Sequence, residues 1–92
     1  MPNFRWDPKK AASNLRAHKV SFETAIQVFE DPYALDEIDD REDYGEERSN
    51  ILGMAEGRLL VVTYTLRGGT TRIISARRAE PHERRTYHEA RR

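Results

Sequence analysis

The chain has 92 residues, 37% of them apolar and 35% charged, with a formal net charge of zero and no cysteine. That length makes a single domain, residues 1–92, whose small core a partner can help to stabilise. The composition excludes a disulfide scaffold, a zinc–thiolate site and a cysteine nucleophile, and it suits a reducing cytoplasm.

The net charge conceals an uneven distribution. Residues 1 to 29 carry five Lys/Arg against two Asp/Glu, or +3; residues 30 to 66 carry three against eleven, or −8; residues 67 to 92 carry eight against three, or +5. Local fields therefore say more about partners than the overall balance does. Thirteen of the sixteen basic residues are Arg, whose planar fork grips phosphate bidentately and stacks on bases as Lys cannot. The opening "MPNFRWDPKK" has no apolar stretch of signal-peptide type. The longest apolar run, "LLVV", is far short of the roughly 20 residues of a membrane span.

"FRWD" alternates apolar and polar residues and reads as a short edge strand. Asp7 suits a helix N-cap with Pro8 at the first helical position, and Ala11, Ala12, Leu15 and His18 follow at helical spacing. This predicts a helix over 8–18. A second helix is predicted over "VSFETAIQVFEDP", capped by Ser21 and ended by Pro32, with Phe22, Ala25, Ile26 and Phe29 on one face. Two or three residues separate the helices, so they read as an αα-hairpin.

"ALDEIDDREDYGEERS" is acidic and turn-rich, with a strand in Ala34–Ile38 and a loop after it. Strands then dominate: "NILGMAEG" up to a Glu56-Gly57 turn, the β-branched and aromatic "RLLVVTYTL", the "RGGT" turn, and "TRIISAR". Leu60, Val62 and Tyr64 form the better core face of the central strand. Leu59, Val61 and Thr63 face a side that is either covered or used for binding. Pro81 opens a third helix over 81–91, whose apolar stripe is only Tyr87 and Ala90, so weak docking is expected. The fold class is α+β: an antiparallel meander with an N-terminal αα-hairpin and a C-terminal helix.

His18, His82 and His88 have no metal-ligand spacing, and no P-loop, dinucleotide or nucleophile-elbow motif is present. "DEIDDREDYGEE" lacks the glycine and spacing of a calcium loop and reads as a solvated acidic segment. The arginines remain: Arg67, Arg72, Arg77, Arg78, Arg84 and Arg85 fall on a hairpin, a strand and a helix. In a strand, Arg77 and Arg78 point to opposite faces. Arg84, Tyr87 and Arg91 share a helical face that suits a phosphodiester and a stacked base. The plain alternative is solubility and a favourable helix dipole. RNA can be cleaved without a metal when its 2′-OH attacks the adjacent phosphorus, given a base, an acid and cations. Glu83, Tyr87, Tyr64 and the arginines supply those residue types. Glu83 also suits the third position of its helix as a capping residue. Trp6 reads as core packing.

"WDPKKAASNLRAHKVSFETAIQVFEDP", "ER" at 47–48, "LLVVTYTLRG" and "RIISARRAEPHERRTY" come in that order over nearly the whole chain. Together they resemble the BrnT family, the toxin of a type II toxin–antitoxin pair. The resemblance implies a RelE-like fold and a cytoplasmic endoribonuclease that cleaves RNA without metal or cofactor, halting translation and growth. It also implies neutralisation by a BrnA-like ribbon-helix-helix antitoxin in a heterotetramer, with operator DNA bound only through that complex. Trp6, Asp7, Lys10 and Asn14 match the family's opening motif, Ile74 to Ala79 its "ISARRA" segment, and Glu83, Arg84, Arg85 and Tyr87 its "ERRxY".

Two departures stand out. Lys19 replaces the usual glycine after the first helix, which removes the cheap left-handed stop. Glu80, followed by Pro81, replaces the usual Ser/Thr cap, which weakens the capping box of the last helix. On this resemblance Arg77 and Arg78 are the first candidates for phosphate binding and transition-state charge, and Arg48 and Arg67 the second. Glu47, His18 and Glu83 compete for general base or acid. Arg84 contacts RNA, and Tyr87 stacks a base or donates a proton. A non-catalytic module that binds nucleic acid or an acidic protein through the C-terminal Arg surface accounts for the same composition.

Overall fold

The computed structural model describes residues 3–40 and 45–91. The loop expected across residues 41–44 lies outside the described residues. In chain order the elements are β1 (Asn3–Arg5), α1 (Pro8–His18), α2 (Phe22–Ala25) running into a 3₁₀ helix (Ile26–Glu30), β2 (Leu35–Asp39), β3 (Arg48–Ala55), β4 (Arg58–Arg67), β5 (Thr70–Arg78) and α3 (Pro81–Ala90).

α1 begins where its caps dictate. Asp7 accepts the Lys9 N–H at 2.9 Å, and Pro8 follows at the first helical position. It ends on Lys19, which itself takes the left-handed conformation (φ 59, ψ 31) and donates its N–H to Leu15 O at 2.9 Å. The missing glycine therefore leaves the stop in place, at a local cost of about 1–2 kcal/mol. Arg58 Nη1 donates to the Lys19 carbonyl at 3.1 Å and helps to hold it.

The second helix departs from expectation. Ser21 caps it as predicted, accepting the Thr24 N–H at 3.1 Å. After one α turn the chain tightens to 3₁₀ geometry, and what read as an αα-hairpin is one full helix and one short composite one. Three residues per turn replace 3.6, so the buried positions become Phe22, Ala25 and Val28, all fully buried, while Ile26 and Phe29 are only partly covered. The 3₁₀ helix packs on β3 and α1 packs on β5.

Five strands form one sheet in the order β1-β5-β4-β3-β2. β2 to β5 are the expected antiparallel meander, but β1 pairs parallel to β5, with Asn3 opposite Thr70. The sheet is mixed, which corrects the all-antiparallel expectation. The physical reason is that β1 is separated from β5 by all of the intervening chain, so no tight turn forces antiparallel pairing. Both strong hairpin turns have positive φ at their two central residues, Glu56-Gly57 (50, 75) and Gly68-Gly69 (51, 83). Glu56, the side chain that bears this strain, accepts hydrogen bonds from Thr24 Oγ1 and Gln27 Nε2 at 3.1 and 2.7 Å.

The core lies between the helices and one sheet face. Val20, Phe22, Ala25 and Val28 meet Ile51, Leu60, Val62, Tyr64, Ile73 and Ala76. Trp6 packs edge-on to Phe22, and Phe29 bridges Phe4 and Tyr64. Ile73 and Ala76 share this face although they are three apart, because a register shift opposite Thr63/Tyr64 inserts an extra residue in β5. Gly53 sits on the same face with no room for a side chain: a Cβ there would lie 2.9 Å from Val28 Cγ1.

Candidate functional site

The other sheet face is polar, and the strand register orders it row by row. Glu37, Asn50, Thr63 and Ser75 are successive cross-strand partners. Towards the Gly68-Gly69 hairpin the next row pairs Asp39 with Arg48 and Thr65 with Arg72, and beyond it lies Arg67 opposite Thr70. Towards α3 the row is Leu35, Leu52, Val61 and Arg77. Partners in a ladder put their side chains on one face. Arg48, Arg67, Arg72 and Arg77 therefore share a face that carries none of the core-forming helices.

The β5 bulge decides this placement. It puts Ala76 inward against Asn14, whose amide accepts the Ala76 N–H (3.1 Å) and donates to the carbonyls of Ala76 (2.8 Å) and Val20 (3.0 Å). β1 pairs with β5 only through Arg72, so Asn14 stands in for the missing strand at Ala76. Arg77 is thereby fixed outward.

α3 closes one end of this face. Leu59 and Tyr87 are buried there, outside the core cluster between helices and sheet. Beside α3 a cavity of about 650 Å³ opens, lined among others by Glu37, Asn50, Thr63, Arg77, His82 and Glu83. Arg77 donates to both Glu83 oxygens, at 2.8 and 2.9 Å. Glu83 Oε1 also accepts the Glu80 N–H at 2.7 Å, and a capping box joins the two residues. Glu80 thus serves as the cap, a correction to the expected weakening. The hydrogen bonds from Arg77, with that from Glu80 and against the cost of burial, hold the Glu83 carboxyl below its ordinary pKa. In the structure this carboxylate fixes Arg77 and caps α3.

Tyr87 is the second correction. It is 1% exposed, and its hydroxyl donates to Asp31 Oδ2 at 2.6 Å. That oxygen also accepts the Met54 N–H at 2.8 Å. Burial, then the Asp31 hydrogen bond and charge, push the Tyr87 phenol up to about 12. Burial alone would raise Asp31, but hydrogen bonds from Tyr87 and from the Met54 and Tyr33 N–H groups outweigh it and leave Asp31 lowered. Arg91 stacks over Tyr33 at 4.6 Å and Tyr87 at 5.7 Å. The Tyr87 ring leaves no open side for a base; it anchors α3, which is therefore docked rather than loose. Tyr64 likewise packs in the core, donates to Asp36, and is pushed up to about 12, first by burial.

The remaining candidates separate. His18 ends α1 on the helix-covered side and is exposed. Arg78 pairs with Leu60, on the opposite face from Arg77, and is exposed. Glu47 is exposed just before β3, where its carbonyl accepts from Thr65 Oγ1. Arg84 is exposed on α3. Arg67 and Arg77 stand about 20 Å apart along β4 by strand rise. At the Arg67 end, Glu46 takes a hydrogen bond from Arg67 at 2.9 Å. This bond first, then the fields of Arg67, Arg48 and Arg72, lower its pKa against the effect of burial.

Arg72 is named in the sequence only as one of the arginines and Thr63 only as part of the second face of β4; Glu37, Asn50, Ser75 and His82, which line the cavity with Thr63, are not singled out there as site candidates. The signal for Asn50 and Ser75 is the same as for Thr63: they are polar residues out of phase with the core-facing positions of β3, β4 and β5. Among the described residues no group of three or more His, Asp and Glu is arranged to hold a metal ion.

The fold is an α+β domain with one charged, polar sheet face: four arginines lie on it, and the cavity beside it is lined by Asp36, Glu37, Asp39, Asp40 and Glu83 as well as Arg77 and His82. The family model described as "Ribonuclease toxin, BrnT, of type II toxin-antitoxin system" matches residues 6–83. The chain belongs to the BrnT family. No curated protein matches it.

Proposed function

We propose that the polar sheet face is the RNA-cleaving surface of an endoribonuclease toxin. The observation that carries this reading is that Arg48, Arg67, Arg72 and Arg77, from three strands, share one sheet face, with Arg77 also lining the cavity. Successive arginines along that face suit successive phosphates of one strand. Arg77, held by Glu83 in one orientation, is placed to stabilise charge on a phosphorane without reorganising.

In the reaction the 2′-OH loses its proton, its oxygen bonds to the adjacent phosphorus, and the P–O5′ bond breaks. The products are a 2′,3′-cyclic phosphate and a 5′-OH that takes up a proton. His82, on the cavity wall next to Glu83, supplies an imidazole for proton transfer, in place of the distant His18. The arginines provide the charge stabilisation, so the chemistry proceeds without metal or cofactor.

The toxin fold is read as RelE-like, with activity in the cytoplasm that inhibits translation and growth. A BrnA-like ribbon-helix-helix antitoxin would neutralise it in a heterotetramer, which alone would bind operator DNA. No helix among the described residues is long and apolar enough to cross a membrane.

Inducible expression with and without the antitoxin, followed by RNA analysis, tests the reading. Growth arrest with fragmented RNA, relieved by the antitoxin, is expected. Intact RNA, with and without ribosomes, would sink it and leave a non-catalytic binding module.

A further inference from the structure

The row between the arginines carries a hydrogen-bonding pattern of its own. Glu37 and Asn50 are direct cross-strand partners, and both line the cavity. Thr63 Oγ1 donates to Asn50 Oδ1 at 2.6 Å. That bond fixes the amide: its carbonyl turns to β4, and its NH₂ turns away from Thr63. Among the described residues neither the Asn50 NH₂ nor the exposed Glu37 carboxylate has a hydrogen-bond partner. Two neighbouring positions thus offer a donor and, beside it, two anionic acceptors. Side chains directly opposite on adjacent strands stand about 5 Å apart at Cβ, close enough to serve one planar base.

We propose that Glu37 and Asn50 recognise a guanine base of the RNA strand, and so set where it is cut; this rests on the reading of the face as an RNA-cleaving surface. Guanine is the base whose pairing edge presents one acceptor, O6, followed by two donors, N1–H and N2–H. Asn50 donates to O6, and the two Glu37 oxygens accept N1–H and N2–H, giving three bonds, two of them charge-assisted. Adenine, cytosine and uracil each supply a donor and an acceptor to the same pair but leave one carboxylate oxygen covered and unbonded. A lost hydrogen bond to a charged group corresponds to roughly a ten- to hundredfold preference. The flanking rows complete the fit. On one side Arg48 lies two residues along β3 from Asn50, opposite Asp39, with Arg72 in the same row two strands across on β5; on the other side Arg77 lies on β5, two residues from Ser75 and also two strands across from Asn50. A two-residue step is about 7 Å and adjacent strands are about 4.8 Å apart, so a base seated on the Glu37–Asn50 row has Arg48 one step away on one side and Arg77, at roughly 12 Å, on the other for the flanking phosphates.

The test is end-mapped cleavage of one RNA that contains every dinucleotide step, by the wild-type protein, Glu37→Gln and Asn50→Asp. Wild-type cuts should concentrate at steps containing guanine at one fixed side, by tenfold or more. Glu37→Gln, which is exposed and isosteric, should lower the ratio of guanine to non-guanine cuts at least tenfold. Asn50→Asp replaces the donor with a second acceptor and should do the same. Wild-type cleavage without base bias, or variants that keep the guanine ratio, would overturn the assignment and leave RNA cleavage standing. A wild-type protein that cuts no RNA would overturn both.

Discussion

Arg77 and Glu83 form a two-point ion pair, Nη1 to Oε1 at 2.8 Å and Nη2 to Oε2 at 2.9 Å, between the last strand and the first turn of α3. The same carboxylate closes the helix cap on the Glu80 N–H. One side chain therefore orients the arginine and starts the helix. Glu83→Ala should cost about 1 kcal/mol through the cap, lowering Tm by roughly 4–8 °C. It should also reduce RNA cleavage, because Arg77 loses its fixed orientation. Thermal unfolding together with a cleavage assay checks both; loss of activity without any fall in Tm would point instead to Glu83 acting on the substrate.

Tyr87→Phe keeps the ring and removes the hydroxyl that reaches Asp31. A hydrogen bond to a charged group is worth about 1.5–3 kcal/mol, so denaturant unfolding should show a loss of that order. Hydrogen exchange should rise first in α3. If the ring served only to stack a base, this variant would be as stable as the wild type.

Asn14 satisfies three backbone groups at once, the N–H and carbonyl of Ala76 and the carbonyl of Val20. Asn14→Leu leaves all three unmet, at about 1–3 kcal/mol each, against a total stability typical of 5–15 kcal/mol, roughly, for a domain. The expected result is a chain that unfolds near ambient temperature. Asn14→Asp, which keeps the acceptor for the Ala76 N–H, should lose less. Equal stability of all three proteins in denaturant melts would contradict the strand-substituting role.

Asp31 and Glu83 both hold α3, and both carboxyls lie below their ordinary values of 3.8 and 4.5 in the fold. A lowered folded pKa means that ionisation favours the folded state. The contribution is complete above those ordinary values and is lost as pH falls below them, through the folded values. Acid should therefore release α3, seen as rising hydrogen exchange across Pro81–Ala90 as pH drops through that window. A pH-independent α3 signal there would exclude the coupling.

Much of the fold is legible in local signals. Asp7-Pro8 and Ser21 fix two helix starts, and the Glu56-Gly57 and Gly68-Gly69 turns fix the hairpins, because caps and turns depend on residues close in sequence. The 3₁₀ tightening after Ala25 is not legible, since the Phe22-Ala25-Ile26-Phe29 spacing fits an ordinary α-helix equally well. Parallel pairing of β1 with β5 depends on residues nearly seventy positions apart. The concentration of arginines at the C-terminal end is visible in the sequence, yet the β5 bulge decides which of them share a face. Alternation alone separates Arg77 from Arg78 but does not join Arg77 to Arg72. Tyr87 and Glu83 drew attention as chemical groups, whereas Asp31 and Arg77, which claim them, are brought near only by the folded chain.

The proposed RNA-cleaving surface requires Arg77 and Arg72 to act on one strand of RNA. The direct measurement is cleavage of end-labelled RNA in EDTA by the wild-type protein, Arg77→Ala and Arg72→Ala, with the product ends identified. The wild type should yield 2′,3′-cyclic phosphate and 5′-OH ends, with the rate reduced by about 10²–10³ in Arg77→Ala and less in Arg72→Ala. Wild-type cleavage that stops in EDTA, or that proceeds undiminished in both variants, would contradict it.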